Sequence, residues 1–133
     1  MNTTRSLLLA TSMACMTLLS GCLSGSTDVV SVTGVYDLQT INNTALPFSF
    51  TGGATVVAEE LTLNADGTFT DVTTRADGSV VSDLGAYNKV GGTVNFADAT
   101  AGLVYQGQVQ GSTLTTVIGS FSMYFIRTGA ATH

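Results

Sequence analysis

The chain has 133 residues, 9 acidic and 4 basic side chains, a formal net charge of −5 at pH 7, and 44% hydrophobic against 10% charged residues. The acidic balance excludes a nucleic-acid binder, which needs a Lys/Arg footprint. One His and two Cys cannot build a zinc cluster, and the apolar content is too high for wholesale disorder.

In chain order, the first segment, 1–21, reads as targeting sequence. Arg5 and the amino terminus form a short basic region, and Leu7–Leu19 is an apolar run of thirteen residues. A bilayer span needs about 20 residues, so the run reads as a secretory signal. Leu19-Ser20-Gly21-Cys22 resembles the bacterial lipoprotein lipobox, in which small residues precede a Cys that is acylated and becomes the mature N-terminus. The resemblance implies a lipid on Cys22 and loss of Cys15 with the signal, so no intrachain disulfide remains. Stable anchoring takes about two acyl chains, which that modification is expected to supply. Leu23 resembles the residue that directs such lipoproteins to the outer membrane, implying its periplasmic face or the cell surface. Residues 22–31 are then the lipidated Cys and a polar tether, reaching at most ~30 Å at about 3.3 Å per residue. The bases Arg75, Lys89 and Arg127 form no run that would hold anionic lipid.

From Val32 the chain reads as strands and turns, rich in Thr, Val and aromatic residues and punctuated by Gly, Asp and Asn. The expected strands are 32–40, 54–63, 68–75, 79–90, 93–97, 103–110, 113–118 and 120–128. Asn64-Ala65-Asp66-Gly67 and Ala76-Asp77-Gly78-Ser79 are hairpin turns whose glycines supply a positive φ. Gly91-Gly92 and Gln110-Gly111-Ser112 mark two more turns. Neither Asp-Gly turn has the alternating acids of a calcium loop. Leu103, Tyr105, Gly107 and Val109 share one face; so do Leu114, Thr116 and Ile118, and Phe121, Met123, Phe125 and Arg127. Short connections favour antiparallel neighbours in sequence order. The fold class is all-β, about eight antiparallel strands in up-and-down order over 32–128, whose spacing suits a sandwich or a barrel, with 129–133 a frayed tail.

Gly34-Val35-Tyr36 at the first strand and Phe125-Ile126-Arg127 at the last resemble the lipocalin/calycin pattern, with Tyr36 where that family has Trp. Between them lie Pro47, Leu61-Thr62-Leu63-Asn64-Ala65-Asp66-Gly67-Thr68-Phe69 and Gly85-Ala86-Tyr87, in the order found in small bacterial lipocalin-like lipoprotein domains. The resemblance implies a small barrel closed at one end by Gly34, Tyr36 and Arg127, with room inside for a small apolar ligand. It implies no activity and no cofactor.

The chemistry-bearing residues are few. The one His is the last residue, His133, which argues against a Ser-His-Asp site. Gly-x-Ser-x-Gly, P-loop and dinucleotide fingerprints are absent. Strict alternation places Val57, Glu59, Leu61 and Leu63 on one face. Glu59 then either enters the barrel, where it needs a ligand, Arg75 or Arg127 as partner, or sits at a rim or bulge that turns it outward with Glu60. Adjacent strand residues point to opposite faces, so Glu59 and Glu60 do not converge as an acid/base pair, and no second group is placed beside Glu59. Arg127 is expected as a stem packed on Tyr36. Phe48 and Phe50, in the loop 41–53, either cover the barrel mouth for a ligand or partner or fill the core.

Two functions follow. The first is a lipid-anchored binding module, its ligand contacts Phe48, Phe50, Glu59, Phe96, Tyr105 and Phe121. The second is a solid barrel that meets a periplasmic protein or serves as an inhibitor or structural module. A non-catalytic chain, without metal, is expected on either reading, and the membrane is its constant partner through the lipid.

Overall fold

Residues with a two-residue apolar period and glycine-bearing turns at short intervals bury their apolar face either between two packed sheets or inside a sheet closed on itself, and this chain takes the second solution. The computed structural model describes residues 31–131. The signal segment 1–21, Cys22, most of the tether and His133 lie outside the described residues.

The strands are β1 (Gly34–Ile41), β2 (Thr44–Ala45), β3 (Phe48–Ser49), β4 (Thr55–Leu63), β5 (Thr68–Arg75), β6 (Val80–Val90), β7 (Thr93–Asp98), β8 (Leu103–Gln110), β9 (Thr113–Ile118) and β10 (Phe121–Gly129). All pairings are antiparallel, in the order β2-β1-β10-β9-β8-β7-β6-β5-β4-β3. A further pairing of β1 with β4 closes the eight long strands into an up-and-down barrel. Each long strand lies within two residues of its expected bounds.

The short strands β2 and β3 were not anticipated. Asn42 and Asn43, with φ of 49° and 63°, make the two-residue turn that folds β2 back onto Thr40 and Ile41. β3 pairs with Thr55 and Val56 of β4. The loop thus returns along both walls near one end, the mouth, which also carries the turns 76–79, 99–102 and 119–120. The turns 64–67, 91–92 and 111–112 form the opposite end, the floor.

The core sits in the floor half and the middle, where Tyr36, Leu61, Leu63, Phe69, Val94, Phe96, Leu114 and Phe125 are buried. Phe96 stacks on Tyr105 at 4.8 Å and meets Phe69 edge-on at 5.4 Å. The Phe69 ring lies over Gly85, where an added Cβ would come within 2.6 Å of the ring and within 2.2 Å of the Ala97 carbonyl oxygen. The second Gly-x-Tyr unit is therefore a packing requirement, and its Tyr87 hydroxyl donates to the Asn64 carbonyl at 2.6 Å, fastening the adjacent turn.

One expectation about β4 is corrected. A bulge between Val56 and Ala58 shifts the alternation, so Val56 is buried and Val57 is 40% exposed. Beyond the bulge Glu59, Leu61 and Leu63 all point inward.

Candidate functional site

At the floor, Gly34, Tyr36 and Arg127 come together. The Tyr36 hydroxyl donates to the Val32 carbonyl at 2.8 Å and accepts from Arg127 Nε at 3.1 Å and Nη2 at 2.6 Å. Arg127 Nη2 also donates to the Ser31 carbonyl, and the guanidinium carbon lies 5.2 Å from the centre of the Tyr36 ring. The Arg127 stem crosses Gly34, where a Cβ would sit 3.1 Å from Cδ and 2.8 Å from the Gly129 carbonyl oxygen. This constellation ties the start of β1 to β10 at the floor, with the Arg127 guanidinium held by the Tyr36 hydroxyl and the Ser31 carbonyl.

At the mouth, Phe48, Phe50 and Phe121 form an edge-to-face cluster, with centroids 5.1 Å apart for Phe48–Phe50 and 4.9 Å for Phe50–Phe121. The rings are half-buried against the core. The loop aromatics fill the mouth and do not stand out as an exposed patch.

Between these ends lies a layer of carboxyls that sequence reasoning missed. Alternation from Phe69 carries Asp71 and Thr73 inward on β5; from Gly85 it carries Asp83 inward on β6; from Phe96 it carries Asp98 inward on β7. Glu59, only 6% exposed, opposes Thr73, and Asp71 opposes both Leu61 and Asp83, so Glu59 and Asp71 are diagonal neighbours. They hydrogen-bond each other. Glu59 therefore enters the barrel, the outward alternative does not hold, and its partner is Asp71, neither arginine.

A carboxyl–carboxylate bond needs a proton on one member. Burial, then the Asp71 charge, pushes the Glu59 carboxyl up to about 9. Burial pushes Asp71 up to about 7; the bond from Glu59 opposes this, while Asp83 and Asp98 add to it. The pair therefore retains a proton at neutral pH. Asp71 Oδ1 is buried and, among the described residues, has no hydrogen-bond partner. Burial, then Asp98, also raises Asp83. Asp98, 8% exposed, accepts from the Thr100 and Ala101 amides at 2.8 Å each. The Tyr105 phenol faces this layer and is raised by burial and by all four carboxyls. Among the described residues no three His, Cys, Asp or Glu are placed to hold a metal ion.

Two open clefts reach this layer, and Glu59 lines both. One, of about 360 Å³, lies at the mouth between Phe50, Val56, Glu59, Thr73, Val81 and Asp83. The other, of about 440 Å³, opens through the wall between β1 and β4, along Asp37, Leu38, Leu46, Val57, Glu59 and Glu60. The expected ligand residues thus fall into two groups, Phe50 and Glu59 on the mouth cleft with Phe48 and Phe121 behind, and Phe96 and Tyr105 in the ring stack beneath.

No protein-family model matches the chain, and neither the curated proteins nor the solved structures contain a match to it. The geometry of the closed eight-strand barrel is compatible with a lipocalin-like fold.

Proposed function

We propose that the chain is a non-catalytic, lipid-anchored cell-envelope lipoprotein whose lipocalin-like domain binds a small amphipathic molecule at the barrel mouth. The observation that carries this is the mouth cleft, whose wall joins Phe50, Val56 and Val81 to Glu59 and Asp83. The occupant is amphipathic, not wholly apolar, because the rings of Phe69, Phe96 and Tyr105 fill the interior and carboxyls line the space above them.

Native mass spectrometry of the full chain, extracted in mild detergent, tests the reading. The expected result is a reproducible extra mass that denaturation releases and that Phe50→Ala abolishes. A bare chain in every preparation would sink it and favour the solid-barrel reading, for which the filled interior is the supporting observation. Cys22→Ser is expected to move the protein from the membrane to the soluble fraction; unchanged fractionation would remove the anchor.

A further inference from the structure

The eight-strand wall is unevenly sewn. β4 and β5 pair through seven residue positions, as do β5 and β6, whereas β1 and β4 pair only through Gly34–Leu63, Val35–Thr62, Tyr36–Leu61 and Asp37–Glu60. The last of these pairs sets two carboxylates opposite each other, an arrangement that weakens a strand pair. Beyond it the ladder stops and the lateral cleft begins. The residue after Glu60 on that side, Glu59, is the buried member of the interior pair. Asp37 and Glu60 on the outer side and Glu59 on the inner side therefore flank the part of the wall that is held by the fewest residue pairs.

We infer that the Glu59–Asp71 pair is a proton-operated lock on the β1–β4 seam: with a proton between them the seam is closed, and loss of that proton parts it at the lateral cleft. Among the described residues, polar groups face the pair from four strands. Asp83 and Asp98 face it from β6 and β7, Tyr105 from β8 and Thr73 from β5, while Asp37 and Glu60 stand on the outer side of the seam. Arg75 lines the mouth cleft with Glu59 and Asp83, yet the charges that act on Glu59 are carboxylates. Deprotonation thus adds a negative charge to a layer that is already negative, inside a wall where charge is poorly solvated. The unfolded chain sheds the same proton near the ordinary carboxylate range, so the folded state holds a proton that the unfolded state does not. Stability must then fall as pH rises. The lock concerns the wall itself and holds whether or not the mouth takes a ligand.

The test is urea unfolding of the full chain at fixed temperature from pH 5 to 9.5, with peptide-resolved hydrogen exchange corrected for the intrinsic rate. In the wild type the folding equilibrium constant is expected to fall about tenfold per pH unit for each proton held. Exchange over 55–61 should rise with pH well ahead of exchange over 105–116. Glu59→Gln keeps a donor for Asp71 without a titrating proton, so it should flatten both trends and unfold at higher urea above pH 7; Glu60→Gln should leave the slope in place. If Glu59→Gln does not fold, Asp71→Asn carries the same readout. A wild-type midpoint that is constant or rises over this range overturns the lock. So does a slope unchanged in Glu59→Gln, or an exchange increase spread evenly over the barrel.

Discussion

The Tyr36 hydroxyl holds three polar partners at once, the Val32 carbonyl and two nitrogens of Arg127. Tyr36→Phe leaves a ring of the same shape but strips a partner from each of these groups. Leaving buried polar groups unsatisfied costs about 1–3 kcal/mol, so the unfolding free energy from urea titration should drop by that amount with the fold intact; an unchanged value would show the hydroxyl to be incidental. Gly85 is the other residue whose identity is forced, by the Phe69 ring and the Ala97 carbonyl oxygen. Gly85→Ala should cost about 1–3 kcal/mol through overpacking, and thermal unfolding would read it. If Gly85→Ala were neutral, the ring would have to move freely, contrary to its edge-on contact with Phe96.

At the scale of elements, the least expected feature is the hairpin from β1 into β2. It rests on a positive φ at both Asn42 and Asn43. Asn tolerates that region because its short polar side chain bonds locally, whereas a β-branched residue pays about 1–2 kcal/mol there. Asn43→Val should therefore destabilise by that amount, and Asn43→Gly should be neutral or slightly stabilising; equal stability of the two variants would argue against the turn. The eight long strands are legible in the sequence because Asp-Gly and Gly-Gly turns bound them and because Phe121, Met123 and Phe125 repeat at a period of two. The floor is legible by another route, since Gly34-Val35-Tyr36 and Phe125-Ile126-Arg127 resemble the lipocalin/calycin pattern, which implies that they meet. The acid layer is not legible by the same means. A bulge at 56–58 breaks the phase of β4 and so hides which way Glu59 points. Asp71, Asp83 and Asp98 read as solvent-facing by residue type, and only their phase relative to Phe69, Gly85 and Phe96 turns them inward. Burial of a charge is disfavoured, so residue type and phase conflict here, and such conflicts gather where a fold does something besides hold together.

For the molecule as a whole, two sets of carboxyls tilt the pH profile in opposite senses. Asp66 and Asp77 sit in their turns as hydrogen-bond acceptors for Thr68 and Ser79, which lowers both below the ordinary value. Their contribution is present above the unfolded value and is lost as pH falls through the lowered one. Glu59 and Asp71 are raised, so their contribution is complete below the unfolded values and is lost as pH climbs towards about 7 and about 9. Stability should therefore peak on the acid side, near pH ~4–5, and decline by up to about 1.4 kcal/mol per pH unit for each proton held above that. A maximum at pH 7–8 in urea or thermal unfolding would contradict the buried pair.

The floor constellation has a consequence for posture. Because Arg127 and Tyr36 grip the carbonyls of Ser31 and Val32, the chain enters the barrel at its floor, and β1 then runs to the mouth at Ile41. Under the proposed anchor at Cys22, the leash would join the barrel at its floor, and the mouth would lie at the end far from the point of attachment. A ligand of the mouth cleft would then be expected to reach it from the aqueous side.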